Sequence, residues 1–176
     1  MQKEISAGVI VFRRDVKGPR FLLLYHGSDY WNFPKGHIEK DPTETGKGET
    51  SLEAALRETM EETGLKPADL RINRKFKGYE RFSFYKGKSR IFKIVIFYLG
   101  ETRQKNINVS DEHEGYGWFY YRDALRLVKG YRDTASVLKK AHDFIKSGAT
   151  KEHSHPAVPA EHETPRPRSE SVLKGD

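Results

Sequence analysis

The chain has 176 residues, 36% of them apolar and 32% charged, with a net charge of +7 and no cysteine. That length suits one domain with a core of its own, and the missing cysteines exclude disulfides and thiolate metal sites. No run of 18 apolar residues occurs, so no transmembrane helix is expected; the opening MQKEISAGVIVFRR also lacks the basic, apolar, then small order of a signal peptide, and cytoplasmic residence fits.

Residues 5–12 (ISAGVIVF) and 21–25 (FLLLY) read as strands joined by the turn-rich RRDVKGP. Residues 30–40, with Pro34 and Gly36, read as a loop, and 41–48 (DPTETGKG), without one apolar residue, as a flexible insertion. A helix is predicted from about 50 to 63. Thr50 and Glu53 match a capping box, Gly64 stands where a left-handed C-cap is wanted, and Pro67 follows. Leu52, Ala55, Leu56, Thr59 and Thr63 are its core-facing side. Two long strands follow at 71–84 and 91–100 with a hairpin tip at YKGK. The second, apolar on both faces, is expected at the centre of a sheet. GYGWFYY (115–121) reads as a short strand, and a last helix is predicted from Thr134 to Lys146. Beyond it the chain turns Pro-, His- and Glu-rich. The expected organisation is a domain over 1–148 and a disordered tail over 149–176, whose His153, His155 and His162 have no closed metal-binding geometry. Residues 150–176 hold four Lys/Arg and five Asp/Glu, leaving about +8 on the rest. Such a charge suits a polyanion, whether nucleotide, inositol phosphate or nucleic acid, or serves solubility alone. The order of elements gives an α+β or mixed-sheet sandwich.

The predicted helix 50–63 carries Glu58, Glu61 and Glu62 at i, i+3 and i+4. Like charges at that spacing destabilise a helix by roughly 0.2–0.5 kcal/mol per pair. A solvated charged face is one reading; the other is a site for a hard divalent cation, since magnesium takes oxygen ligands from a few carboxylates, waters and phosphates. Arg57 is expected to pair with Glu49 or Glu53.

Glu49, seven residues, and then RETMEETGL resemble the Nudix box. The match falls on Arg57, Glu58, Glu61, Glu62, Gly64 and Leu65. Thr59 stands where an aliphatic residue is usual, and Gly36, the best match to the box glycine, lies seven residues too far from Glu49. The surplus, about 40–46, is expected to be a loop insertion. AGVIVFRR, FLLL, WNFPKGHIE, SDEHEGYGW and AHDFI are similar to the Nudix subgroup that hydrolyses diadenosine tetraphosphate asymmetrically, over about residues 3–147.

The resemblance implies an α/β/α sandwich, a mixed sheet packed between helices. It implies that Glu58, Glu61, Glu62, Glu112 and the Gly36 carbonyl hold Mg²⁺ or Mn²⁺. Glu58 would be the catalytic base, Arg57 and Glu49 a supporting ion pair, and Lys35 and His37 loop residues near the phosphates. Lys35, Arg81, Lys88, Arg90 and Lys93 form a basic surround. Phe82 and Phe84 share one strand face and Tyr85 takes the other, so base stacking on Phe82 or Tyr85 competes with ordinary hairpin packing. His113 suits either a phosphate contact or support of a ligand. Trp31 and Trp118 are expected to be structural. The activity implied is metal-dependent cleavage of diadenosine tetraphosphate to ATP and AMP. The alternatives are 5′-triphosphate RNA or diphosphoinositol polyphosphates as substrates, or a silent nucleotide-binding module.

Overall fold

The structure, a computed structural model, describes residues 2–39 and 48–148. The proposed insertion and tail lie almost wholly outside the described residues. The elements are β1 (Gln2–Asp15), β2 (Gly18–Tyr25), β3 (Trp31–Asn32), β4 (Lys35–His37), α1 (Ser51–Thr63), a 3₁₀ turn at Pro67–Asp69, β5 (Arg71–Lys86), β6 (Ser89–Glu101), β7 (Gly115–Tyr120), α2 (Tyr121–Val128) and α3 (Arg132–Lys146).

The strands form one mixed sheet in the order β3-β2-β1-β6-β5, with β4 paired to β1 and β7 to β2. β1 and β6 run parallel, from Gln2 opposite Ile91 to Phe12 opposite Glu101; the other pairs are antiparallel. β6 is therefore central, as its two-sided apolar pattern predicts. Side chains alternate across the pleat. Ala7, Val9 and Val11 of β1 pack with Leu22, Leu24 and Ala54 and Ala55 of α1 on one face. Ile10 and Phe12 pack with Phe21, Leu23, Phe97 and Leu138 and Ala141 of α3 on the other. Helices thus cover both faces of one sheet. Among the described residues no helix is long and apolar enough to cross a membrane.

Several boundaries differ from expectation. The first hairpin turns on Val16 and Lys17 alone, because Arg20 at its base pairs with Asp15 (2.8 Å) and extends both strands. The stretch 30–40 holds two short strands, since β1 and β2 offer it backbone partners that no sequence pattern shows. YRDALRLV forms the unexpected α2, whose Ala124 and Val128 reach the core against α3. α3 begins at Arg132, two residues early.

The capping box of α1 is formed: the Glu53 N–H donates to Thr50 Oγ1 (3.3 Å) and the Thr50 N–H to Glu53 Oε2 (2.8 Å). Gly64 closes the helix at φ 74°, a left-handed conformation that glycine takes without a Cβ clash. The chain then returns along this helix end. The Asn108 N–H donates to the Thr63 carbonyl (3.0 Å) and the Ser110 N–H to that of Glu62 (3.2 Å), satisfying carbonyls that a helix end otherwise leaves open. This crossing delivers Glu112 to the acidic end of α1. Thr50→Ala removes one cap bond and is expected to lower the unfolding free energy by about 1 kcal/mol, read as a lower urea midpoint at unchanged slope.

Candidate active site

Strand β4 and helix α1 form the site by lying almost in contact. Gly36 pairs with Ala7 of β1, and a Cβ on it would overlap the Glu58 carboxylate. A larger residue there would displace the Glu58 carboxylate from this position, which gives a reason for glycine at the strand's centre. One residue earlier, the Lys35 backbone N–H donates to Glu62 Oε2 (3.0 Å).

Arg57 ties the pieces together. Its guanidinium meets Glu49 in a two-point contact, Nε to Oε1 (2.9 Å) and Nη2 to Oε2 (3.0 Å). Nη1 donates to Glu58 Oε1 (2.9 Å) and Glu61 Oε2 (3.2 Å), and Nη2 to the His37 carbonyl (2.9 Å). Of the two partners expected for it, Arg57 takes Glu49; Glu53 is spent on the cap. Glu49 Oε2 also accepts the Glu39 N–H (3.0 Å), so one carboxylate fixes the chain on both sides of the 40–47 stretch. Hydrogen bonding to Arg57 lowers the Glu49 pKa below its ordinary value.

The three glutamates of α1 differ in burial. Glu61 is exposed, Glu58 intermediate, and Glu62, expected on a stripe away from the core, is 9% exposed. Burial pushes Glu62 up to about 7, against the Lys35 N–H, which favours its charged form. Burial also raises Glu58, opposed by the hydrogen bond from Arg57. Behind Glu62 sits His113, its side chain 1% exposed, with Nε2 3.7 Å from Glu62 Oε1 and Nδ1 3.1 Å from Ser110 Oγ. His113 is therefore placed behind a carboxylate, away from the open cleft, and burial lowers its pKa. Its ring meets His26 edge-on at 4.4 Å, and burial pushes His26 down to about 4.

A cleft of about 470 Å³ opens in front of these groups; Lys35, Gly36, Glu58, Glu61, Glu62, Lys93 and Glu112 line it. The donors are hard oxygens of the kind that suit Mg²⁺ or Mn²⁺. Among the described residues no three acidic or imidazole side chains close on one point as a metal cluster. Glu58 and Glu61 are turned to the shared Arg57 Nη1, and Glu62 to the Lys35 N–H. The donor set fits a divalent cation in its chemistry, with Glu58, Glu61, Glu62 and Glu112 lining one cleft, and Glu62 has its pKa raised by burial despite the Lys35 N–H.

The other sequence candidates spread outward. His37 stands on the cleft rim with Nε2 3.1 Å from Glu4 Oε2. Arg81 lies over the Tyr79 ring on β5 (5.0 Å), and Tyr85, 74% exposed, projects near the hairpin tip opposite Arg90. Arg81 and Phe82 both line a second pocket of about 420 Å³, between β3, β5 and the start of α3, together with Asn32, Glu80, Tyr131 and Thr134. Lys93 is directly opposite Phe82 on the β5–β6 ladder and also lines the acidic cleft, so it stands between the two pockets. Trp31 packs on Tyr25 (4.8 Å) and Trp118 Nε1 donates to the Lys105 carbonyl (2.8 Å), both structural. Glu80 carries a signal in the sequence that the motif does not: it follows Phe76 and Gly78 on the inward side of the strand alternation, where a charge is out of place. Nothing local marks Tyr131.

A family model described as NUDIX domain matches residues 2–140. The asymmetrical bis(5′-nucleosyl)-tetraphosphatase of Mus musculus is 35% identical over 150 residues, 80% of this chain and 94% of that protein. The same-named protein of Sus scrofa is 34% identical over 154 residues, 82% of this chain and 97% of that protein. A solved structure of a C. elegans Ap4A hydrolase binary complex superposes with a TM-score of 0.67 at 27% identity, covering 82% of this chain and 98% of that one.

Two outcomes follow from this geometry. Arg57→Lys keeps the charge but loses the planar fork; unfolding in urea is expected to show a loss of about 1.5–3 kcal/mol, the range for hydrogen bonds to charged groups. His26 is neutral in the folded protein down to about pH 4, whereas in the unfolded chain it takes a proton below about 6.5. Its contribution to stability is present above pH 6.5 and lost as pH falls toward 4. In melting curves from pH 7 to 4.5, His26→Phe should therefore lose less stability on acidification than the parent; parallel curves would contradict this.

Proposed function

We propose a reaction for this site on one premise: the chain belongs to the Nudix family of hydrolases. The protein hydrolyses dinucleoside polyphosphates with the help of a divalent cation, and its substrate is diadenosine tetraphosphate, cut to ATP and AMP. The observation that carries this reading is a pair of neighbouring pockets with complementary chemistry. One is acidic and rimmed by Lys35 and Lys93; the other is flanked by the half-exposed rings of Phe82 and Tyr131, 41% and 45% exposed. A chain of phosphates suits the first and a nucleobase the second, since a base stacked on aromatic rings gains about 1–3 kcal/mol. The asymmetrical tetraphosphatases of mouse and pig support the substrate class.

The residues divide the work as follows. Glu58, Glu61, Glu62, Glu112 and the Gly36 carbonyl would hold Mg²⁺ or Mn²⁺. Bound there, such a cation would supply neutralisation of phosphate charge and activation of water. Glu58 accepts the water's proton; its partial burial raises its proton affinity, and Arg57 Nη1 holds it in place. The water oxygen bonds to phosphorus, a P–O anhydride bond breaks, and the departing phosphate keeps the bond's electrons. Lys35 and Lys93 take up the charge of the phosphates on the side toward Phe82. Arg57 orients the base and the loop around Glu39 and Glu49, but its own hydrogen bonds are all spent within the protein.

The test supplies magnesium and, in separate reactions, diadenosine tetraphosphate, 5′-triphosphorylated RNA and a diphosphoinositol polyphosphate. ATP and AMP from the first, formed much faster than products from the others, is the expected result. Faster turnover of either other substrate replaces the substrate assignment, and binding without turnover of any of them identifies a silent module. Glu58→Gln is expected to lower kcat by roughly 10²–10⁴-fold, the usual contribution of a positioned proton acceptor, with an unchanged melting temperature.

A further inference from the structure

The second pocket has a feature that stacking alone does not explain. Its polar floor contains Glu80, only 2% exposed, on the sheet face that otherwise packs Phe76 and Val95. Glu80 hydrogen-bonds the Thr134 side chain, while its Oε1 has no hydrogen-bond partner. A buried acceptor left unmatched costs the fold about 1–3 kcal/mol, and such a group calls for an explanation. Among the described residues no neighbouring group bonds that oxygen. Asn32 Oδ1 accepts the Phe33 N–H and its Nδ2 donates to the Tyr30 hydroxyl, both at 2.7 Å. Asp133 Oδ2 accepts the Arg81 N–H (2.9 Å) and clamps the first turn of α3 to β5. The start of α3 is thus tied to β5 along the pocket, with the unpartnered Glu80 Oε1 among its lining groups.

We infer that Glu80 reads the base: its free oxygen accepts an N–H of the exocyclic amine of an adenine seated between Phe82 and Tyr131. Thr134 occupies the carboxyl group's other oxygen, so Glu80 presents one acceptor rather than a two-point edge. One acceptor matches the 6-amino group of adenine. A 6-oxo purine places a carbonyl oxygen there, and two acceptors then face each other in a buried site. Burial raises the Glu80 pKa, and Lys35 and Lys93, which favour its charged form, are the cations that rim the neighbouring cleft. The inference deepens the proposed reaction and rests on it for the identity of the base.

The experiment compares diadenosine and diinosine tetraphosphates, which differ at position 6 by an amine against a carbonyl, and measures AMP and IMP binding by calorimetry in parallel. The parent is expected to favour the adenine compound in both readouts by 10-fold or more. Glu80→Leu should lower kcat/KM for the adenine compound at least 10-fold and bring its ratio to the inosine compound close to one. Glu80→Gln, whose amide offers an acceptor to the 6-amino group and a donor to a 6-oxo group, should keep most of the activity on the adenine compound while lowering the preference, and guards against a folding defect in the Leu variant. A preference unchanged in Glu80→Leu, or no preference in the parent, overturns the inference. If neither dinucleotide is cleaved, the reaction assignment fails while the AMP-to-IMP binding ratio still decides the role of Glu80; failure to bind either mononucleotide rejects it.

Discussion

The site depends on the closeness of α1 to β4, and that closeness depends on one guanidinium. Arg57 donates to Glu49, Glu58, Glu61 and the His37 carbonyl. These partners come from the segment before α1, from α1 itself and from β4. A planar fork with five fixed donors can hold such a set, and a flexible ammonium cannot. The network is partly buried, so it is screened less than a surface ion pair. It also answers the electrostatic problem of the helix, because Glu58 and Glu61 share a cation supplied by their own chain. The missing side chain at Gly36 completes the arrangement by leaving space for the Glu58 carboxylate.

Within this frame, burial sets the individual acids apart. Glu62 is enclosed by the returning 108–114 segment, with the His113 ring behind it, and its proton affinity rises. Glu61 stays in water. Glu58 lies between these extremes, raised by burial and held toward its charged form by Arg57. Glu58 and Glu62, four residues apart on one helix, thus have their proton affinities set by their depth and by the groups that face them.

The protein tolerates local strain on stability around these pockets. His26 has a buried ring nitrogen without a hydrogen bond, and Glu80 a buried carboxyl oxygen in the same condition. Glu80 lines a pocket and His26 packs against His113 behind the acidic cleft, and neither is part of the two apolar cores that close the sheet faces. Polar groups that would be costly errors in a core are more often retained where they meet a ligand or bias an electrostatic field.

The sequence by itself determined the strand alternation, the central place of β6, the capped α1 and the Arg57–Glu62 spacing, because each depends on neighbours within a few residues or on a long motif. It also pointed to Glu49 as the partner of Arg57 and to Phe82 as a candidate for stacking. The family resemblance named Glu112 as a partner of the α1 acids, and only the tertiary structure decided how it gets there, by the chain crossing the end of α1 some fifty residues later. The same holds for Tyr131 facing the pocket of Phe82, for α2, whose eight residues gain their stability from α3, and for the depth of Glu62 and His113. The physical reason is that periodicity and caps record short-range geometry, whereas burial and the meeting of distant side chains arise only when separate elements pack.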